Sequence, residues 1–516
     1  MPEFPIGEIM QKFLQYPIEI SIDQGGTFTD IYARASKRVL VEKLLSTDPK
    51  HYGNAPLEGI KRILRSISTE TNVDDYLNPK NFKFIRMGTT VTTNALLQRK
   101  GTPTVLAITH GFEDLLRISD QTRPQLFELD ISRPKPLYQK VLGIRERIVP
   151  CRNGFQVRQS LDREHLRANL SSLRGEGFNS IAVVLMHAYA QPAHELEVRE
   201  IASDCGFSTI SLSHQVMPSI KILNRGNSTV LDAYLNPIIK DYLNSFLSAF
   251  QGEFQPGQIL FMQSDGSLCE YTEFCGSKSL LSGPAGGVVG YSRTLFSDSP
   301  LIGYDMGGTS TDVSRYDGSL ELETEHTIAG LPIKTAQLPI FTVAAGGGSR
   351  LGYENGLLFV SPLSSGADPG PLCYDKGGKL SLTDANLLLG RLLPEYFPKV
   401  FGKSGDLPLN PLPGRLSLEN ITSQVNEQIQ AKGGKKLSPE EVAMGFIRIA
   451  NETMVRPILE TSAEKGFRPS EHSLACFGGA GAQHACSIAR SLGIRRVLIP
   501  ANAGILSAVG ISLARR

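Results

Sequence analysis

The sequence predicts an α/β protein built as two related lobes around a shared cleft. Three observations carry that reading. Strand-like apolar runs alternate with helix-period segments along the 516 residues. A glycine hairpin occurs twice, as DQGGTFTD from Asp23 and as DMGGTSTD from Asp305. Glycine is in excess, at 50 of 516 residues, and it sits in short clusters, which marks loops built to approach something closely.

The elements follow in order. IEISID (18–23) and IYARA (31–35) read as strands around a glycine turn. Residues 55–67 place Leu57, Ile60, Ile63, Leu64 and Ile67 on one helical face. FKFIRMG (82–88) is a strand, and residues 89–101 open a helix from a threonine cap that runs to Gly101. Residues 103–111 and 180–189 are buried strands, with a helix over 162–176 between them. A second unit starts near residue 216, with a long amphipathic helix over 227–250 and a strand over 258–266. The Gly- and Pro-rich stretch 362–437 predicts long loops or a small insertion. Residues 438–465 form a long helix with Ser438 as cap and Glu441 completing a capping box. The expected division is an N-terminal extension (1–17), a first lobe (18–215) and a second lobe (216–516) that carries the 362–437 insertion.

Composition excludes several classes. Lys plus Arg is 53 and Asp plus Glu is 51, a net charge of +2 that predicts no nucleic-acid and no membrane-surface partner. No run approaches the roughly 18 apolar residues of a membrane span. Glu3 and Glu8 interrupt an N-terminus with no long apolar core, which reads as neither signal nor transit peptide. The seven cysteines include no C-x-x-C pair, so reduced thiols in a cytoplasmic protein are expected rather than disulfides or zinc. Cys476 and Cys486 read as buried thiols.

The repeated hairpin has legible chemistry. Six of eight positions are identical in the two copies, which lie 282 residues apart. Gly25–Gly26 and Gly307–Gly308 let backbone N–H groups reach phosphate oxygens, and Thr27, Thr29, Thr309, Ser310 and Thr311 add hydroxyls. Asp23 and Asp305 suit water-mediated contact with Mg²⁺ held by a phosphate. Asp30 and Asp312 are left with three roles: orienting a water, positioning metal-bound water, or tying the turn together. Two ordinary G-G turns are the bland alternative, and the matched context of the copies favours phosphate binding.

This pair resembles the hairpins of the actin, sugar-kinase and Hsp70 ATPase superfamily, which flank a nucleotide triphosphate between two lobes. The resemblance implies a third element that meets adenosine. ACFGGAGAQHA (475–485) suits it, with Gly478, Gly479 and Gly481 against the nucleoside. A Rossmann reading fails because position 484 is His. Gly346, Gly347 and Gly348 with Ser349 and Arg350 suit a phosphate or a substrate carboxylate, or form a loop followed by a surface arginine. Ser282–Gly283–Pro284 opens a helix at the cleft or packs through small residues. Thr89, Thr90 and Asn94 are ligand contacts or caps. His110, His214 and His484 read as structural.

More specifically, the sequence resembles the hydantoinase A/5-oxoprolinase family of ATP-dependent amidohydrolases. The residues that carry the resemblance include IDQGGTFTD (22–30), MGTTVTTNALLQRKG (87–101), LLSGPAGGVVG (280–290), YDMGGTSTDVS (304–314), GADPGPLCY (366–374) and CFGGAGAQHA (476–485). The resemblance implies ATP and Mg²⁺ as cofactors, with Asp23, Asp30, Asp305 and Asp312 as the catalytic carboxylates. It also implies a small cyclic amide, foremost 5-oxo-L-proline, opened after phosphorylation of its lactam oxygen. Relatives continue into a further C-terminal domain and a B-type half. Both are expected to be absent after Arg516, so full turnover would need a B-type subunit. A hydantoin or N-methylhydantoin hydrolase subunit and a truncated, non-catalytic ATP-binding protein are the alternatives, and homo-oligomerisation is left open.

Overall fold

A computed structural model describes residues 17–36, 38–67, 73–120, 127, 129, 134–328 and 330–516. The extension expected over 1–17 lies, but for Pro17, outside the described residues. The first sheet has six strands in the order Leu268–Glu270, Ile259–Met262, Phe82–Thr89, Ile18–Gln24, Phe28–Ala35, Arg38–Leu45. The equivalent sheet of the other lobe has the order Val497–Leu498, Ser473–Phe477, Leu301–Met306, Thr311–Tyr316, Ile340–Val343.

These sheets repeat strand by strand. In each, an antiparallel hairpin has a third antiparallel strand on its outer side and two parallel strands on its inner side. Asp23 pairs with Asp30, and Asp305 with Asp312, at the same step of the ladder. The duplication therefore extends from the eight-residue motif to five strands and their directions.

A fully parallel four-stranded sheet, Thr209–Leu212, Ser180–Val184, Thr104–Thr109, Lys140–Ile144, is inserted within the first repeat. Its strand Thr104–Thr109 is buried at every position, as expected where helices cover both faces. Strands on both sides of the expected 215/216 division share the first sheet, because the chain returns through Ile259–Met262 to pair with Phe82–Thr89.

The helices follow their periodicity. Ala55–Ile67 buries Ile60, Ile63, Leu64 and Ile67 against the first hairpin's sheet, each worth roughly 1.5–3 kcal/mol of transfer free energy. Pro439–Glu464 begins with the Ser438–Glu441 capping box and buries Phe446, Ile447 and Met454 under the second hairpin's sheet. The stretch 362–437 departs from its loop-like composition, since Pro411–Ala431 is a helix of 21 residues. Pro411 and Pro413 occupy its first turn, where no intrahelical N–H is needed, and Asn410 caps it. Among the described residues no helix is long and apolar enough to cross a membrane.

Candidate functional site

The hairpin tips meet between the lobes, with Thr27 Oγ1 3.0 Å from Thr309 Oγ1. Both turns close alike. The Gly25 N–H donates to the Phe28 carbonyl and the Gly307 N–H to the Ser310 carbonyl, each at 3.0 Å. The close approach requires glycine beside the threonines. A Cβ on Gly308 would lie 2.5 Å from Thr27 Oγ1, and one on Gly26 would lie 3.1 Å from Thr309 Oγ1.

Around the tips is a cavity of about 930 Å³. Most of the expected site residues line it: Asp23, Gly25, Gly26, Thr27 and Asp30 from one hairpin, Asp305, Gly307, Gly308, Thr309, Ser310 and Asp312 from the other, with Gly347, Gly478 and Gly479. Gly478 has φ +81°, and a Cβ there would come within 2.3 Å of Asp305 Oδ1, so the loop lies directly on the second hairpin.

Four of the expected hairpin and loop residues stand elsewhere. Thr29 alternates with Phe28 and Asp30 along its strand and points to the other face. Its hydroxyl meets Ser46 Oγ at 3.0 Å, and Ser46 donates to the Gly25 carbonyl at 2.7 Å, so Thr29 braces the turn from behind. Thr311 repeats this, donating to the Ala345 carbonyl at 2.6 Å. Gly346 packs on the backbone of Thr309 and Ser310, and Gly481 packs against Cys476 Sγ.

The four aspartates face a cavity with little compensation. Lys43 donates to Asp30 Oδ1 at 2.5 Å and to the Gly504 carbonyl at 3.0 Å. The equivalent strand position opposite Asp312 is Thr342, whose hydroxyl donates to Asp312 Oδ1 at 2.6 Å. Burial pushes the Asp23 carboxyl up to about 7, with Asp30 adding to the rise and Lys43 opposing it. Burial pushes Asp312 up to about 6. Burial and then the Asp312, Asp23 and Asp30 carboxylates hold Asp305 well above the usual range. Glu323 and Glu325 also line the cavity, and Lys43 is the only lysine or arginine among its described lining residues.

An acid-lined cavity of this kind favours cations. Among the described residues no three His, Cys, Asp or Glu side chains converge as a metal cage. Asp23 Oδ1, however, is buried without a hydrogen-bond partner. That donor set fits a divalent ion held mainly by ligand oxygens and water and steadied by an aspartate; it does not fit an all-protein site.

The remaining elements divide by position. Helix Ser282–Thr294 does two things along its length. Gly283 and Pro284 line the cavity, while Gly286 accepts close packing from Gly510 of helix Leu506–Leu513. Ser282 ties its start to the neighbouring strand, donating to the Thr89 carbonyl at 2.8 Å and accepting the Thr89 N–H at 3.1 Å. Thr90 and Asn94 line the cavity; Thr89 is buried behind it. In the 346–350 loop, Ser349 Oγ accepts the Gly346 N–H, and Gly347 and Gly348 donate to the Gly307 and Gly308 carbonyls. The loop backs the second hairpin, and Arg350 does not line the cavity.

The three histidines singled out by the sequence each have a polar partner within the fold. His484 sits between Asn451 Oδ1 (2.7 Å) and Asn386 Nδ2 (3.1 Å), and burial lowers its pKa to about 4. His214 meets the buried Glu195 at 2.6 Å, and His110 meets Glu113 at 2.7 Å. Cys476 is buried and its thiol pushed up to about 12. Cys486 is exposed, against expectation, because it lies on the outer face of the short helix Ala485–Ser491.

Lys43, Thr342 and Gln337 also line the cavity and carry no motif of their own, and Phe28 lines it from within the first hairpin. Phe28 makes edge contacts with Tyr374, Phe397 and Phe401 at 6.1–6.4 Å, which joins the first hairpin to the 362–437 segment. Lys43 could have been found by pairing VEKLL with the hairpin, which sets it opposite Asp30.

The hydantoinase/oxoprolinase family pattern matches residues 225–516, and the pattern of its N-terminal region matches residues 19–206. The chain belongs to the hydantoinase/oxoprolinase family. It is 47% identical over 531 residues to 5-oxoprolinase 1 of Arabidopsis thaliana, an alignment that covers 98% of this chain and 42% of that protein. The chain thus spans about two-fifths of the length of that relative. An ATP-dependent caprolactamase from Pseudomonas jessenii superposes with a TM-score of 0.72 at 26% identity, over 96% of this chain and 70% of the other. Nucleotide-free acetone carboxylase superposes with a TM-score of 0.78 at 23% identity, over 97% and 70%, and shares the fold. The duplicated two-lobe fold expected from the hairpins is the fold of this family's solved members.

Proposed function

We propose that this chain carries out the ATP-dependent phosphorylation step of lactam ring opening, with 5-oxo-L-proline as substrate. The carrying observation is the pair of equivalent hairpins whose four partly buried aspartates and touching tips enclose one cavity. Membership of a family whose relatives include 5-oxoprolinases and a caprolactamase supports the substrate class.

In this reading the Gly25 and Gly307 amides close the turns, and the backbone of Gly26–Thr27 and Gly308–Thr309 binds phosphate oxygens. Gly478 and Gly479 leave room for the nucleoside. Asp23 and Asp305 would hold Mg²⁺ through water, and the ion would supply the neutralisation of phosphate charge that this acid-lined cavity lacks. The lactam oxygen attacks the γ-phosphorus. A new O–P bond forms, the bond to the bridging oxygen breaks, and ADP leaves with that electron pair. The amide, stabilised by resonance, becomes an imidate that water adds to more readily. Addition of water and ring C–N cleavage give the acyl phosphate of glutamate, and a second water then releases phosphate to give L-glutamate. A B-type subunit completes this hydrolysis.

The test is ADP release measured with 5-oxo-L-proline, hydantoin, N-methylhydantoin and caprolactam, each with and without a B-type chain. Stimulation by 5-oxo-L-proline above the others is expected. If no lactam stimulates ADP release under any of these conditions, the reading falls.

A further inference from the structure

Gln337 ends the strand Leu331–Gln337 and is 2% exposed. The residue lines the cavity, and its buried Oε1 has no hydrogen-bond partner. An unsatisfied buried acceptor is costly, so one carried by a residue of the cavity wall points to a donor supplied by a ligand.

The position of Gln337 is fixed by one buried serine. The Leu338 N–H donates to the Ser264 carbonyl at 2.9 Å, and the Leu281 N–H donates to Ser264 Oγ at 3.1 Å. Ser264 therefore anchors both the residue after Gln337 and the turn that leads to Gly283. Gly283 in turn lies against Asp23: a Cβ there would come within 2.9 Å of Asp23 Oδ1. Gln337 and Asp23, each with an unsatisfied buried oxygen, line the same cavity. They have complementary uses, since the aspartate suits the metal–phosphate side and the neutral amide suits an organic N–H.

We infer that Gln337 is a substrate-binding residue whose Oε1 accepts the ring N–H of a cis secondary amide, which selects lactams that carry a free N–H. The inference rests on the lactam-phosphorylation reading above and specifies how the lactam is held. Its chemistry favours the reaction. An acceptor on the N–H pushes electron density toward the lactam oxygen, the atom that attacks phosphorus. As O–P bond formation proceeds, the N–H becomes more acidic and the hydrogen bond strengthens, so it stabilises the transition state more than the ground state. The proton stays on nitrogen throughout this step.

The experiment is calorimetric titration of the full chain, saturated with a nonhydrolysable ATP analogue and Mg²⁺, with 5-oxo-L-proline and with its N-methyl derivative. The unaltered protein should bind the N–H lactam about 10- to 100-fold more tightly. In Gln337→Met the N–H lactam should weaken until the two ligands differ by less than about 3-fold, with affinity for the ATP analogue unchanged as the check on folding. An unaltered protein that binds both lactams equally overturns the inference without any variant. So does a Gln337→Met protein that keeps the full preference. An unaltered protein that binds the ATP analogue and no lactam of either kind overturns the lactam reading itself, which separates the two failures.

Discussion

The two hairpins share a backbone and differ in what surrounds it. Gly25 and Gly307 close the same turn, Thr29 and Thr311 brace it from the same face, and the aspartates pair at the same ladder step. The divergence lies in three equivalent pairs. Gln24, whose Oε1 accepts from Tyr242 OH at 2.7 Å, stands where the second hairpin has the buried Met306. Phe28, packed among aromatic rings, stands where Ser310 lines the cavity. Lys43, paired with Asp30, stands where Thr342 serves Asp312. Backbone geometry suited to phosphate is retained in both copies, while the cation Lys43 and the aromatic contacts of Phe28 are placed on one side only. A symmetric pair of turns thus encloses an asymmetric cavity, as the proposed binding of a nucleotide with distinct ends would require.

Removing the shared part should have the largest effect. Asp305→Ala and Asp23→Ala should each lower lactam-stimulated ADP release by roughly 10²–10³-fold, measured in steady state with folding verified by thermal melting. Equal losses would show that the hairpins contribute alike; a loss confined to one would break the symmetry.

Removing the asymmetric cation should come next. Lys43→Met leaves Asp30 buried without its partner and should cost roughly 2–4 kcal/mol of stability, read by urea unfolding. A Lys43→Met protein as stable as the parent would show that Lys43 serves the ligand rather than the fold.

The tips test the close approach. Gly308→Ala places a Cβ against Thr27 and should cost about 1–3 kcal/mol. Gly26→Ala meets a looser contact and should cost under about 1 kcal/mol. The same melting series orders them, and the reverse order would show that the tips part in solution.

The helix starts that follow the inner strands differ as well, with Thr90 in the first lobe and His484 in the second. His484 has a folded pKa of about 4, below the usual value near 6.5. Between these values the unfolded chain binds more protons, so stability should fall as pH falls from about 6.5 toward 4, by roughly 1 kcal/mol near pH 5.5. In His484→Gln this part of the pH slope should disappear from melting curves.

The smallest effect belongs to Thr342. Its hydrogen bond to Asp312 is exposed, so Thr342→Val should cost less than about 1 kcal/mol, against the larger loss at Lys43.

What was legible in the sequence was local. The hairpins, the amphipathic helix Ala55–Ile67, the capped helix Pro439–Glu464, and most of the cavity-lining glycines are written in short-range patterns, because turn geometry, capping and helical periodicity depend on neighbours within a few residues. Composition misled where a local rule had two readings. Pro411 and Pro413 look like loop residues and occupy a helix's first turn. Thr29 looks like a ligand hydroxyl, and strand alternation turns it away from the cavity.

By itself, then, the sequence determined a duplicated phosphate-type hairpin in an α/β chain of the hydantoinase/oxoprolinase family. The tertiary structure decided which residues meet across the cleft. Lys43 reaches Asp30 through a third strand, Thr342 reaches Asp312 in the same way 30 residues further along the chain, and Gln337 reaches the cavity through a serine 73 positions before it. Such contacts depend on long-range register and on which face of a strand is buried. Neither is encoded in any short motif, and both are set when the sheets pair and pack.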